Sequence, residues 1–172
     1  FPFTDPADGS RWLLFAGSVA GAPSAFNGAV GLARATGEGG YALVPPLLGA
    51  VGVNNELERP HIVVRGGRYH LFVSTQRRTF APGVEGPTGL YGFVAPALRG
   101  PYAPLNGSGL VVANPAAEPT QAYSWLVLPD LRVAGFADMH SLGGLSADEV
   151  TAAGADAARA HFGGTIAPVH HL

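Results

Sequence analysis

Residues 61–75 read HIVVRGGRYHLFVST, and this stretch decides the fold. Two runs rich in β-branched and aromatic residues, 61–65 and 68–75, flank the pair Gly66-Gly67. Two consecutive glycines tolerate the positive φ angles of a two-residue turn, so the stretch predicts an antiparallel β-hairpin. We therefore expect a core built from strands that are joined by short turns.

The same alternation of short apolar runs with Gly and Pro continues on both sides of the hairpin. Further strands are predicted at residues 11–16, 28–35, 90–95, 124–128 and 131–137. The Pro-Asp pair at 129–130 supplies a turn between the last two strands. Residues 146–161 read as a helix, because Ser146 followed by Glu149 is a capping-box signature. The fold class predicted from this pattern is all-β.

Two segments look like copies of one another. RWLLFAGS at residues 11–18 and RYHLFVST at 68–75 share the pattern Arg-aromatic-x-Leu-Phe-x-x-hydroxyl. They start 57 residues apart, which is long for one hairpin but suits one blade of a β-propeller with insertions. The alternative is that any buried strand can carry Leu-Phe between polar ends, since two copies are weak evidence for a repeat.

Composition excludes several classes of function. Of the 172 residues, 47% are hydrophobic and only 13% are charged, and the net charge is −2, so neither disorder nor a nucleic-acid partner is expected. The chain has no cysteine, which excludes disulfides and thiolate metal sites. Its apolar runs fall short of the roughly 18 residues that a membrane helix requires. The glycine-rich run 37–40 reads as a surface loop, and nothing indicates a nucleotide, another cofactor or a second domain.

The strongest functional signal lies immediately before the hairpin, where residues 54–61 read NNELERPH. Glu56 and Glu58 are two positions apart, and on a strand such residues face the same side. Two carboxylates held close together favour the protonated form of one of them, as a general acid requires. Pro60 cannot donate to a sheet ladder, which is typical of an irregular strand end. The alternative from the residues alone is a solvated strand edge, or a turn in which Arg59 forms a salt bridge.

Residues 54–60 resemble the Glu-(Leu or Thr)-Glu-Arg-Pro motif of glycoside hydrolase family 68, the levansucrases, inulosucrases and β-fructofuranosidases. Further similar segments follow in the family's order, at residues 71–74, 79–81, 90–94, 98–109, 121–125 and 162–168. The resemblance therefore covers nearly the whole chain. It implies that residues 1–172 are the C-terminal part of one catalytic domain, the C-terminal blades of a five-bladed β-propeller with a central pocket for sucrose.

The resemblance also implies a retaining reaction on sucrose, followed by transfer of the fructosyl group to water, sugars or fructan. One carboxylate attacks the fructosyl anomeric carbon, and another protonates the departing glucose oxygen and then activates the acceptor. Glu58 matches this general acid/base, and Glu56 matches the carboxylate beside it, which orients substrate hydroxyls. Arg59 follows as in the motif. An adjacent residue on a regular strand faces the other way, so we expect it to give structural support, with a sugar contact left open.

Two more substrate-binding residues are implied further along the chain. Gln76 falls where relatives carry Arg or His on the glucosyl side of the pocket; it keeps hydrogen-bonding capacity without charge. Tyr123 matches a tyrosine that supports the catalytic carboxylates. Its alternative role is that of a core aromatic residue paired with Trp125.

The beginning of the chain departs from the family pattern. The family's nucleophilic Asp belongs to an early blade, and its transition-state-stabilising Asp belongs to an Arg-Asp-Pro motif. Asp5-Pro6 matches the last two residues of that motif, but the residue before them is Thr4, where the motif requires Arg. We therefore expect the chain to start just after the true motif and to be inactive alone. Another chain or upstream sequence is expected to complete the propeller and to carry both aspartates.

No metal site is predicted. His170 and His171 lack a spaced third ligand and read as a solvated tail. Asn55 stands where Gram-positive relatives place a calcium-binding Asp, which argues against that site. The resemblance implies a secreted, extracellular bacterial enzyme, for which sucrose, fructan acceptors and a second polypeptide are the expected partners and nucleic acid and membrane are not.

Two alternatives to an enzyme remain at this point. The first is a non-catalytic, β-rich carbohydrate-binding module in which Glu56, Glu58, Trp12 and Trp125 bind sugar without turnover. The second is an inert fragment with no defined partner.

Overall fold

The computed structural model describes residues 1–37 and 39–172. The strands of this part of the chain form three antiparallel sheets that follow one another in sequence order. The predicted loop 37–40 includes position 38, which lies outside the described residues.

The first sheet is an up-and-down meander of four strands. They are β1 (Pro2–Thr4), β2 (Arg11–Ser18), β3 (Gly28–Ala35) and β4 (Tyr41–Gly49). The sequence predicted β2 and β3 but missed β1 and β4. The strand β4 was not predicted because it contains Pro45 and Pro46, which cannot donate to a sheet ladder. The sheet tolerates both prolines because β4 is an edge strand.

The second sheet contains the predicted hairpin. Its strands are β5 (Glu58–Arg65), β6 (Arg68–Thr75), β7 (Gly89–Ala95), β8 (Ala103–Pro104) and β9 (Leu110–Ala113). The strands β5, β6 and β7 pair in this order, and both β8 and β9 pair with β7. Gly66 and Gly67 have φ angles of 56° and 70°, which confirms the two-residue turn. A short 3₁₀ turn, Arg77–Thr79, follows β6.

The third sheet ends the chain. Its strands are β10 (Ala122–Val127), β11 (Arg132–Met139), β12 (Phe162–Ile166) and β13 (His170–His171). The prediction of a solvated tail at β13 was wrong in one respect, because its backbone pairs with β11 while both side chains remain exposed.

The single helix predicted for residues 146–161 is two short helices, α1 (Ala147–Ala152) and α2 (Ala155–His161). The capping box is present, since Glu149 N donates to Ser146 Oγ at 3.2 Å and Ser146 N donates to a Glu149 carboxylate oxygen at 2.7 Å. Gly154 has a φ of 108° and separates the helices, because an α-helix cannot continue through that angle.

The two predicted sequence copies occupy equivalent positions. Residues 11–18 form β2 and residues 68–75 form β6, and each is the second strand of its sheet. The Leu of the shared Leu-Phe pair, Leu14 or Leu71, is fully buried in both, and the two side chains belong to the same apolar cluster. The repeat is therefore one of sheet architecture, as expected for successive propeller blades.

Side chains of alternate strand positions bury two apolar clusters, one on each face of the second sheet. Leu71 and Val73 of β6 belong to the cluster shared with the first sheet, whereas Phe72 belongs to the cluster shared with the third. Successive strand residues face opposite sides, so a single strand supplies both cores. Stacking of the three sheets brings the start of β5 next to β10, where the candidate site forms.

Candidate active site

The start of β5 and the start of β10 carry the two groups at the centre of the site. The Tyr123 hydroxyl donates a hydrogen bond to Oε2 of Glu58. The Tyr123 ring also packs edge-on against Trp125, with ring centroids 5.9 Å apart and an interplanar angle of 72°. Both roles considered for Tyr123 are thus compatible, since its ring joins the core while its hydroxyl reaches the carboxylate.

Burial raises the pKa of Tyr123 well above its usual range, and the hydrogen bond to Glu58 raises it further. The phenol therefore remains a neutral donor throughout the neutral pH range. The negative charge of Glu56 acts in the same direction, whereas the nearby polar side chain of Gln76 lowers the pKa. Three of the other four predicted site residues, Glu56, Glu58 and Gln76, thus influence the hydroxyl group of Tyr123.

The Gln76 side chain is oriented by Arg78, whose Nε donates to Oε1 of Gln76 at 3.1 Å. The amide oxygen accepts this bond, and the amide nitrogen is the donor that the side chain can offer to Tyr123. An uncharged residue is consequently held beside the Glu58–Tyr123 pair.

Arg59, the fifth predicted residue, is directed elsewhere. The pairing of β5 with β6 shifts by one residue between Glu58 and His61, and Arg59 in this bulge has a φ of 48°. The strand is therefore bulged at Arg59 rather than regular. Its exposed guanidinium lies 5.8 Å from the ring centroid of Phe136 on β11. Among the described residues it forms no salt bridge with either glutamate, which argues against the salt-bridged turn.

Glu56 precedes β5 and lies in irregular chain, so strand alternation is not what sets its position. Its backbone N–H donates to Oδ1 of Asn54 at 2.8 Å. Asn54 is only 2% exposed, and the same Oδ1 lies 3.1 Å from the hydroxyl oxygens of Thr75 and of Thr79. A buried polar network, rather than a strand, therefore holds Glu56.

The same network extends to Gln76. The Thr79 hydroxyl donates to the Gln76 carbonyl oxygen at 2.8 Å, and the Asn55 N–H donates to the Thr79 carbonyl oxygen at 2.9 Å. Asn54 and its two threonine partners were missed as functional residues in the sequence. A buried asparagine at the start of a charged motif was the available signal, but its partners lie 21 and 25 residues away.

A groove of about 440 Å³ leads away from this site toward the start of α1. Gln76 and Arg78 line one end, and Thr120 and Ser146 line other parts of it. Among the described residues, no group of three or more His, Cys, Asp or Glu is arranged to hold a metal ion. In the same part of the chain, no helix is both long and apolar enough to cross a membrane.

Comparison with known proteins identifies the family. The model of glycoside hydrolase family 68, described as levansucrase/invertase, matches residues 21–172. Levansucrase LscA of Pseudomonas savastanoi pv. glycinea is 41% identical in an alignment 162 positions long, which covers 80% of this chain and 39% of that protein. The levansucrase of Zymomonas mobilis is 38% identical over 99% of this chain and 35% of its own length.

Solved structures of similar proteins point to the same family. An inulosucrase from Halalkalicoccus jeotgali, determined with kestose bound, superimposes with a TM-score of 0.90 at 50% identity, covering 98% of this chain and 45% of that one. The full-length β-fructofuranosidase of Microbacterium saccharophilum K-1 gives a TM-score of 0.84 at 29% identity, and the match covers 99% of this chain and 39% of that one. The three sheets are accordingly blades of a five-bladed β-propeller.

The fold and the sequence match together define the class of protein. The chain belongs to glycoside hydrolase family 68, and it spans about two fifths of the length of the curated relatives that it matches.

Proposed function

We propose that the chain is the acid/base-bearing part of a family 68 enzyme that transfers the fructosyl group of sucrose, with retention, to water, sugars or a growing fructan. The observation that carries the proposal is the Glu58 carboxylate, held by the Tyr123 hydroxyl beside Glu56 and Gln76. The relatives described as levansucrases, inulosucrase and β-fructofuranosidase support the substrate class.

In this proposal a nucleophilic carboxylate bonds to the fructosyl carbon as the bond from that carbon to the glycosidic oxygen breaks. Glu58 protonates that oxygen, so glucose leaves with the proton. The resulting carboxylate is stabilised by the hydrogen bond that Tyr123 donates to Oε2. It then removes the proton of the acceptor hydroxyl or of water as the acceptor attacks the fructosyl carbon and displaces the nucleophilic carboxylate. Glu56 supplies a second carboxylate for the sugar hydroxyls.

The reaction needs two further carboxylates, a nucleophile and a group that stabilises the developing positive charge. The family resemblance assigns both to earlier blades. We propose that an upstream segment or a second polypeptide supplies them and completes the propeller. A location outside the cell belongs to the same proposal.

The groove beyond Gln76 suits the acceptor side of the reaction. Its lining includes the hydroxyl-bearing residues Thr120 and Ser146. Sugar hydroxyls both donate and accept hydrogen bonds, so they suit a groove with such residues in its wall. We assign to Gln76 a share in the choice between acceptors, through uncharged hydrogen bonds.

The test is Glu58→Gln in the complete enzyme, with Glu85→Gln as a matched control at an exposed position outside the site. Loss of general acid/base catalysis should lower the rate of glucose release from sucrose about 10²–10⁴-fold, with an unchanged thermal midpoint. The control should retain the wild-type rate. Unchanged turnover in Glu58→Gln would reject Glu58 as the acid/base, and wild-type protein that binds sucrose without cleaving it would favour the carbohydrate-binding module.

A further inference from the structure

His61 is a buried histidine that joins the two strands of the candidate site. It lies on β5, three residues after Glu58, and is 1% exposed. Its Nδ1 lies 2.8 Å from the carbonyl oxygen of Arg59, and its Nε2 lies 2.8 Å from the backbone nitrogen of Val127 on β10. The ring therefore bridges the Glu58 strand and the Tyr123 strand.

These two contacts determine which nitrogen of the His61 ring carries the proton. The backbone N–H of Val127 can only donate, so Nε2 must accept and carries no proton. The carbonyl oxygen of Arg59 can only accept, so Nδ1 carries the proton. Burial, which lowers the pKa of His61 to about 4, keeps this neutral tautomer dominant at neutral pH. Phe72 stacks on the ring at a centroid distance of 5.5 Å and sets its plane.

Both strands are irregular next to the groups that His61 joins. Arg59, which follows Glu58, has a φ of 48°, and Ser124, which follows Tyr123, has a φ of 61°. Pairing shifts at both places, between Glu58 and His61 in one sheet and between Tyr123 and Leu126 in the other. Non-glycine residues keep such angles only when their surroundings hold them there. His61 binds the carbonyl group of one bulge and the strand just beyond the other.

We propose that His61 is a positioning residue for the acid/base, and this proposal rests on the function assigned to Glu58. A rigid ring with a donor on one side and an acceptor on the other fixes how far the bulge of β5 stands from β10. It thereby fixes the geometry in which Tyr123 meets the Glu58 carboxylate. His61 itself touches neither the carboxylate nor the hydroxyl.

Three variants of the complete enzyme separate the contributions of the two hydrogen bonds of His61. His61→Phe removes both hydrogen bonds but keeps an aromatic ring on Phe72. His61→Asn can retain a donor toward Arg59, and His61→Gln can retain an acceptor toward Val127. The matched control is His70→Phe, which changes a half-buried histidine of β6 whose Nδ1 has no partner in the described chain.

We expect His61→Phe to lower kcat for sucrose about 10-fold or more while KM changes less than about 3-fold, and to displace the limb of the pH–rate profile that reports the acid/base. The Asn and Gln variants should each recover part of kcat, and His70→Phe should resemble the wild type. In a Tyr123→Phe background, His61→Phe should lower kcat by a much smaller factor, because the Tyr123–Glu58 hydrogen bond that His61 positions is already absent. Additive losses, or a loss of stability with kcat and pH profile unchanged, would overturn the proposal.

A second measurement does not depend on the folding of any variant. Nitrogen-15 NMR of the wild-type enzyme at pH 7 should show His61 protonated at Nδ1 and not at Nε2; a charged ring or the opposite tautomer would contradict the bridge. The Glu58→Gln experiment separates the two proposals. If Glu58→Gln retains activity, the proposed function fails. If Glu58→Gln is inactive while His61→Phe keeps kcat and pH profile, only the positioning role fails.

Discussion

The Tyr123 hydroxyl donates its hydrogen bond to Oε2 of Glu58 across 65 positions of sequence and between two different sheets. The bond orients a carboxylate at the irregular start of a strand, where the backbone ladder alone does not specify a side-chain direction. Since burial keeps the phenol neutral, the donor persists at every pH at which a glycoside hydrolase of this kind would work.

Tyr123→Phe should therefore lower kcat about 10- to 100-fold, because a hydrogen bond to a charged group is worth roughly 1.5–3 kcal/mol. KM for sucrose should change little if the bond matters most once Glu58 has released its proton. Steady-state kinetics on the complete enzyme measure both. Tyr69→Phe is the control, since the Tyr69 hydroxyl donates to Asp5 at 2.6 Å, away from the site. Equal losses in the two variants would contradict a specific role for Tyr123.

The Asn54 network should stabilise the fold and the site together. Thr75→Val keeps the shape of a buried side chain but removes its contact with Asn54 Oδ1, so the free energy of unfolding should fall by about 1 kcal/mol. KM for sucrose should rise, because the network holds the backbone of Glu56. Urea unfolding and sucrose kinetics give the two quantities. Ser74→Ala removes a buried hydroxyl that has no partner in the described chain and should change neither.

Gly28 lets β3 approach the loop before β5. A Cβ at this position would lie 2.9 Å from the carbonyl carbon and oxygen of Asn55 and 3.0 Å from the carbonyl oxygen of Asn54. These are backbone atoms that cannot rotate away, so Gly28→Ala should destabilise the protein by about 1–3 kcal/mol and weaken sucrose binding. Gly17→Ala on the adjacent strand is the control, since its Cβ would meet only ordinary contacts at 3.8 Å. A thermal midpoint equal to that of the control would refute the close approach.

The neutrality of His61 should make stability depend on pH. Burial lowers its pKa in the folded protein to about 4 from 6.5, so between these values the unfolded chain binds a proton that the folded protein does not. The contribution of His61 to the free energy of unfolding is therefore fully present above pH 6.5. It declines as pH falls toward 4, by about 3 kcal/mol in total. Unfolding free energies at several pH values should show a shallower slope in this window for His61→Phe. His70→Phe should keep the wild-type slope, and equal slopes for all three proteins would contradict the prediction.

The parts that could be predicted from sequence depend on a few neighbouring residues. Gly66-Gly67 adopts the positive φ angles that a two-residue hairpin requires, and the capping box formed by Ser146 and Glu149 spans three positions. The family motif likewise marked Glu58 as the candidate acid/base. The helix was predicted too long because the pattern of its capping box says nothing about Gly154, whose φ of 108° divides it.

By itself, then, the sequence determined the strand-and-turn architecture, the family and the residue types available to the site. The tertiary structure alone decided the bulges at Arg59 and Ser124, the Asn54 network and the bridge of His61 to Val127, 66 positions away. The physical reason is the distance along the chain. A turn or a cap is decided by the φ and ψ preferences of adjacent residues, whereas these contacts exist only after the buried clusters have stacked one sheet against the next.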